Sequence, residues 1–528
     1  MQVRAGLLAS YAGQWYGSTE ALTARSATGV TLHQTFGDLN RQCNRLGSGL
    51  RALGVARGDR AGVWAHNIPE LFPIWLGMEK HNIVRVVLHS HFGMDDHVAS
   101  LNHVEASAML FDTRFTEAVA AARNELKTVH HFVAIGKNPP QWATSYADVM
   151  AAGKDEEPML DVDEDSPCFL QLTSGTTGHP KPWVMTYRSW EAVINHNLHH
   201  FDSFDPNAPK VGPQDVNLHF HALQWAAGYQ TLYPYLIRGA RSILLDDEAF
   251  DPKAIVDTLL AEHVTATFAP TPLWIPVLDE IERRGGIDHQ LKRVVIFFGN
   301  AETLERTTKV IGPVWAHGFG STEQGAVTTR LLPSDVEGHP ERLHSVGRPG
   351  SPFYETSIKD PDGNTLAPGE TGEICVRSAM SSSSYWNLPD ETRQAFFPGD
   401  WFRPGDVGYL DTDGYLYYSD RAGDTLVTAH GAIYPHLIEG AISRHPAVLN
   451  SGVVGLGPKG QQVCVAAIQL KPGSRPGPDL AAEILQAITP HLAKHQVPQR
   501  IEFIAKLPTV LGGAKVQRAE VRRMLDKR

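Results

Sequence analysis

The sequence predicts an α/β protein built on doubly wound sheets, and three observations carry that expectation. Short apolar runs of buried-strand length recur at residues 242–245, 294–298 and 372–377. Helical stretches, such as 252–263, separate several of them, and strands alternating with helices favour doubly wound sheets. The composition, 42% hydrophobic and 20% charged over 528 residues, is that of a globular chain.

Taken in order, the first clear element is a helix over 36–53. Phe36, Leu39, Cys43, Leu46, Leu50 and Leu53 recur at three- and four-residue spacing, and Gly54 and Gly58-Asp59 close it. The run Leu46-Gly47-Ser48-Gly49-Leu50 lies inside that stripe and follows no strand, so it is not a dinucleotide fingerprint. A strand is expected over 168–172, and a hairpin over 410–418 turns at Asp413-Gly414. The texture changes near residue 420. Beyond it a helix is expected over 436–444, strands over 450–455 and 463–470, and a helix over 479–494. These place a domain boundary at 420–424, where Gly423 supplies backbone freedom, and divide the chain into domains 1–420 and 421–528.

Lys plus Arg total 47 against 58 Asp plus Glu, a net charge of −11, which gives no basic footprint for nucleic acid or an anionic membrane. No apolar run approaches the roughly 18 residues of a membrane span, and the N-terminal apolar stretch is too short for a secretory signal. The four cysteines are scattered with no Cys-x-x-Cys pair, which fits a reducing cytoplasm.

The sharpest local signal is Thr173-Ser174-Gly175-Thr176-Thr177-Gly178-His179-Pro180-Lys181, directly after the expected strand. Small hydroxyl and glycine residues leave backbone N–H groups open to an anion, and Lys181 adds a charge. The Walker spacing is absent. The loop resembles the signature of the adenylate-forming (AMP-binding) superfamily of acyl-CoA synthetases, peptide-synthetase adenylation domains and luciferases. Further blocks resemble that family in collinear order over roughly residues 30 to 525: Phe319-Gly320-Ser321-Thr322-Glu323, Ser345-Val-Gly-Arg-Pro349, Gly369-Glu-Thr-Gly-Glu373, Tyr385-Trp-Asn387, Trp401-Phe-Arg-Pro-Gly-Asp406, Asp420-Arg421, Gly431 to Glu439, and Lys515-Val-Gln-Arg518.

The resemblance implies a large N-terminal domain of doubly wound sheets plus a distorted barrel, with a small mobile α+β C-terminal lid. It implies attack of an acid anion on the α-phosphate of Mg·ATP, release of pyrophosphate, and transfer of the acyl group to CoA. Two such anions about 4 Å apart repel by roughly 4 kcal/mol at an effective dielectric of 20, so fixed positive charge and donors are required. By resemblance, Thr173, Ser174, Gly175, Thr176, Thr177, Gly178 and Lys181 hold phosphates. Thr322 donates to a phosphate, and Glu323 ligates Mg²⁺. Phe319 with Gly320 contacts adenine, and Gly299, Asn300, Ala301 and Glu302 line the adenine and acid pocket. Asp406 binds the ribose with Arg421 nearby, and Lys515 bridges the acid and the α-phosphate. His221 occupies a position where relatives carry a gating His or aromatic residue, Gly423 is the hinge, and Gly431 lines the pantetheine tunnel.

Departures from the family pattern also stand out. Pro182-Trp183 follows Lys181 where Gly is usual, Tyr187 stands for a common His, and Gly513-Ala514 alters the lysine block. Histidines number 25, including His219-x-His221, His89-x-His91 and the cluster at 195–200, which reads as a solvated or interdomain helix face. The expected substrate is an aryl or medium acyl acid. A carrier protein as acceptor, nitrite activation for diazotisation of an aryl amine, and a silent nucleotide-binding relative are the alternatives.

Overall fold

The computed structural model describes residues 4–25, 31–90, 92–159, 161–173, 180–202, 210–248, 250–325, 327–379, 384–421, 423–428, 431–458, 461–492, 494–510 and 515–526. Residues 174–178 of the phosphate loop, His91 and Gly513-Ala514 lie outside them, as does the side chain of Lys515.

Two seven-stranded sheets form the large unit. The first runs Thr144–Ser145, His131–Ile135, Ala108–Asp112, Arg60–Trp64, Val84–Leu88, Pro167–Thr173 and Lys181–Thr186, parallel except for the last strand. The second runs Trp315–His317, Arg293–Phe297, Ala266–Pro270, Val216–His219, Arg241–Leu245, Glu20–Arg25 and Thr31–Thr35, again parallel except for the last. Both faces of the first sheet are covered. Val63, Val87, Ala108 and Leu110 join the core under the helices Phe36–Leu53 and Leu71–Lys80, whereas Val84, Val86, Leu88, Met109 and Phe111 join the core under Met94–His103 and Thr116–Ala122. Apolar residues on both sides of each strand are what a doubly wound sheet requires.

The helix Phe36–Leu53 begins on a capping box, with Thr35 Oγ1 accepting from Asp38 N at 3.1 Å and Asp38 Oδ2 from Thr35 N at 3.2 Å, and ends on Gly54. Its internal glycines serve close packing. A Cβ on Gly47 would overlap the His81 ring, and one on Gly49 the Val149 carbonyl.

An antiparallel sheet follows, in the order Phe396–Phe397, Trp401–Phe402, Gly372–Arg377, Asp406–Leu410 and Leu416–Arg421, with Glu355–Lys359 also on Gly372–Arg377. It stands where the barrel was expected, and no ladder among the described residues closes it. The small C-terminal domain carries Val448–Leu456, Val463–Leu470 and Arg500–Phe503. One face of this sheet buries Val453, Cys464, Ala466 and Ile468 with Ile438, Ile442, Ile484 and Ile488; the other buries Val454, Val465 and Ala467 with Val521 and Leu525. The helix expected over 479–494 is shorter, Pro478–Ile488, and passes into a 3₁₀ turn at Thr489–His491. Pro490 has no N–H to continue the helix. No helix among the described residues is long and apolar enough to cross a membrane.

Candidate active site

In open α/β sheets, ligands bind beyond the carboxyl ends of the strands, where the winding reverses direction. In the first sheet that point is the end of Arg60–Trp64, and in the second the end of Val216–His219. The two ends meet. Asn67 Nδ2 donates to His221 O at 2.8 Å and to Leu245 O at 3.1 Å, while Leu223 N donates to Asn67 Oδ1 at 2.9 Å. Gln224 donates to the Ala65 carbonyl, and Gln171 Nε2 to the Gln224 carbonyl at 3.1 Å. The seam also holds His66 Nδ1 3.2 Å from Asp247 Oδ1 and Asn67 N donating to the same oxygen at 2.6 Å. His66, Asp246 and Asp247 are the group of three potential metal ligands found among the described residues, but Arg114 Nη1 already pairs with Asp246 at 2.8 Å. His219 and His221 belong to no such group among the described residues.

Around the phosphate loop, the structure brings three predicted residues, Glu323, Thr173 and Lys181, together through Tyr385. Its hydroxyl donates to Glu323 Oε1 at 3.0 Å and interacts with Thr173. Its ring lies 5.8 Å from Lys181 Nζ. Burial, reinforced by the Glu323 charge, pushes the Tyr385 hydroxyl well above its ordinary value, so it remains a donor. The unusual Pro182-Trp183 has its reason here. Segment 384–386 lies beside the last strand of the first sheet, with Val184 N donating to Ser384 O at 2.9 Å and Trp386 N to Pro182 O at 2.8 Å. The buried Trp183 ring packs against Tyr385 at 4.9 Å and Phe402 at 5.6 Å. Thr173 Oγ1 donates to Lys181 O at 3.2 Å across the base of the loop. Tyr385 was quoted in the sequence only as part of a motif; its role as the link was missed.

Asp406 and Arg421 are cross-strand partners in one hairpin. Arg421 Nε lies 3.0 Å from Asp406 Oδ1, its Nη1 donates to Pro404 O at 2.7 Å, and the buried Asp406 carboxylate is the first cause of a raised Arg421 pKa, with Glu323 contributing. Phe319 is mostly covered, packed with Ile358, Ile374 and Leu416 and 6.0 Å from the Tyr418 ring. Gly320 bridges to Val327, and the Thr322 carbonyl accepts from Gly325 N at 3.0 Å. Asn300 caps the helix Ala301–Ile311, its Oδ1 accepting from Thr303 N at 2.9 Å and Thr303 Oγ1 at 2.8 Å, so its side chain is engaged in the cap. Gly299 lies between the strand end and that helix, and Glu302 is exposed.

His221 is buried beside Phe268, 4.9 Å away, and burial pulls its imidazole down to about 4. The 195–200 cluster is not a solvated face as a whole. His196 and His200 are buried, and His196 meets Ser351 Oγ at 2.7 Å and Val327 O at 2.9 Å. Gly423 is exposed with open space about it. Gly431 pairs with Thr428, and Lys515 with Val510. Three residues beyond Lys515, Arg518 contacts Asp424 at 3.0 Å, Asp420 at 3.9 Å and Glu439 at 2.6 Å.

The AMP-binding enzyme family matches residues 12–386, and the AMP-binding enzyme C-terminal domain matches residues 437–511. A feruloyl-CoA synthase from Amycolatopsis is 30% identical over 93% of each chain. A medium/long-chain-fatty-acid–CoA ligase from Mycobacterium tuberculosis is 28% identical over 90% of this chain and 83% of its own. Among solved structures, an anthranilate CoA ligase in complex with anthranoyl-AMP superposes with a TM-score of 0.87 at 23% identity, over 98% of this chain and 97% of that one. An amide bond synthetase from Marinactinospora thermotolerans gives 0.83 at 23% identity, over 99% and 100%.

Proposed function

We propose, for a chain that belongs to the AMP-binding enzyme family, an ATP-dependent ligase that activates a carboxylic acid as acyl-AMP, releases pyrophosphate and transfers the acyl group to CoA. The observation that carries this reading is the convergence of Glu323, Tyr385, Thr173 and Lys181 at the base of the phosphate loop, with Arg421 and Asp406 close by. Relatives named as CoA ligases support CoA as the acceptor.

The residues present suit Mg·ATP as substrate. Glu323 accepts one hydrogen bond from Tyr385 and retains oxygen lone pairs of the kind Mg²⁺ prefers, with the Thr322 hydroxyl adjacent in sequence. Tyr385, kept protonated, orients that carboxylate. Lys181 and Arg421 supply positive charge to the polyphosphate, and the loop of Ser174, Gly175, Thr176, Thr177 and Gly178 supplies N–H and hydroxyl donors. The Asp406 carboxylate is oriented by Arg421 for the ribose, and Gly299 to Glu302 with Phe319 and Gly320 border the adenine. Lys515 is the charge that neutralises the attacking acid and the α-phosphate together. Domain 421–528 acts as the lid, turning at Gly423, with Gly431 beside the pantetheine arm. A carrier protein is the alternative acceptor, supported by a fatty acid–[acyl-carrier-protein] ligase from Streptomyces coeruleorubidus, 28% identical over 92% of this chain and 91% of its own.

The test is acid-dependent pyrophosphate release over a panel of aryl and medium-chain acids, with and without CoA. Acid-dependent release and a CoA thioester are expected, and Lys515→Ala is expected to lower the adenylation rate by about 10²–10³. No turnover with any acid, or full turnover in the variant, would overturn the reading.

A further inference from the structure

Four rings run in series from the surface into the carboxyl edge of the second sheet. Phe298 and Phe297 have centroids 6.0 Å apart, Phe297 and Phe268 5.4 Å, and Phe268 and His221 4.9 Å. His219 lies beyond, 6.2 Å from His221. Each end of this series carries a feature that nothing among the described residues relieves.

At the outer end, Phe298 is 55% exposed and has a φ of 58°. That left-handed backbone is costly for a bulky residue, and strain of this kind persists mainly at sites that use it. At the inner end the difficulty is reversed. His219 is fully buried and His221 nearly so, yet none of their four ring nitrogens finds a hydrogen-bond partner among the described residues. Buried polar groups are nearly always paired, because leaving them unpaired forfeits their hydration. Burial holds both rings neutral, His221 down to about 4 and His219 well below its ordinary value, so each offers one N–H and one lone pair and no charge.

A flat apolar ring laid along Phe297 and Phe298 would cover the exposed aromatic surface, and a polar substituent carried inward past Phe268 would meet the unpaired imidazole nitrogens. Two neutral histidines cannot compensate a second carboxylate, so the substituent is uncharged. We propose that Phe298 and His219 are specificity-determining residues that select an aromatic acid bearing an uncharged hydrogen-bonding substituent. Phe298 covers the ring, and His219 with His221 meets the substituent. This rests on the reading of the chain as an acid-activating ligase.

The test measures kcat/KM for pyrophosphate release at saturating Mg·ATP with acetate, benzoate, cinnamate and the 4-hydroxy forms of the two aromatic acids. The wild type is expected to favour the hydroxylated acids over their parents by about 10-fold or more. His219→Leu should reduce that preference to below about threefold while leaving the parent acids within about threefold of wild type. Phe298→Gly, and Phe298→Asn as a second residue that tolerates the left-handed backbone, should lower kcat/KM for every aromatic acid about 10-fold relative to acetate, with the KM for ATP unchanged and Tm unchanged or higher. An unchanged aromatic-to-acetate ratio in both Phe298 variants, no hydroxyl preference in the wild type, or equal loss on all acids in His219→Leu would each overturn the proposal while leaving the ligase reading intact. Absence of pyrophosphate release with every acid would instead overturn the ligase reading, and this inference with it.

Discussion

Histidine is the residue whose burial has the widest measurable effect here. His81, His97, His196 and His221 are each pulled from the usual 6.5 to about 4, in every case first by burial, and burial also pulls His200 well below 6.5. The folded state therefore binds these protons more weakly than the unfolded chain does. Stability is full above about pH 6.5 and is lost as the pH falls from 6.5 towards 4, because the unfolded chain takes up protons first. Each such group should contribute about 1–2 kcal/mol of loss between pH 7 and pH 5. Urea titrations across that range should show the unfolding midpoint falling steadily; a flat profile would contradict the assignment. At this scale the sequence was partly legible. Thr173, Lys181, Glu323, Asp406 and Arg421 stand in recognisable motifs, and the fold gathers them. The link between them, Tyr385, was not legible, because its partners at 173, 181 and 323 become neighbours only when the 384–386 segment docks on the first sheet. Burial of His196 and His200 was hidden for the same reason, since Val327 and Ser351 lie far along the chain.

Elements were most legible where one stripe or one turn decides them. The helix Phe36–Leu53 follows its apolar spacing, and the strand Val463–Leu470 follows its apolar run. The hairpin turn falls at Asp411 to Tyr415 with Gly414 at φ 79°, and Asp411 Oδ1 accepts from Tyr415 N at 2.8 Å. Less legible was what binds one element to another. Between the first sheet and the helices Leu71–Lys80 and Ala226–Ile237, the fully buried Arg85 guanidinium lies 4.6 Å from the Trp75 ring and 4.7 Å from Phe169, with Nη2 3.4 Å from Glu79. Tyr233 donates to the same Glu79 oxygen at 2.6 Å. Cation–π attraction and the ion pair offset part of the desolvation of the two charges, although burial still raises the Glu79 pKa, and neither charge is tolerable alone. Arg85→Met should therefore cost about 3–5 kcal/mol, and Arg85→Met combined with Glu79→Gln should recover most of it. Chemical denaturation of the two variants checks this, and equal loss in single and double variants would sink the account.

Across the whole molecule, the two large sheets are joined through their carboxyl edges, and Asn67 is the side chain that spans the joint with three hydrogen bonds. Asn67→Ala removes all three of these hydrogen bonds and should destabilise the chain by about 2–4 kcal/mol, read as a shift in the urea midpoint. Net charge, by contrast, was a poor guide at this scale. A chain at −11 still holds Lys181 beside Tyr385 and Arg421 within reach of the Glu323 charge, because fields are set locally. The strand orders of the two sheets carry one more consequence. Each winds outward from its fourth strand, first one way and then the other, and each is completed on one side by a parallel strand and an antiparallel edge, which follow the winding in the first sheet and precede it in the second. The molecule thus draws one pattern twice and sets the copies mouth to mouth. Each copy alone would present an open crevice; here the rim of each is closed against the other by side-chain amides, Asn67, Gln171 and Gln224.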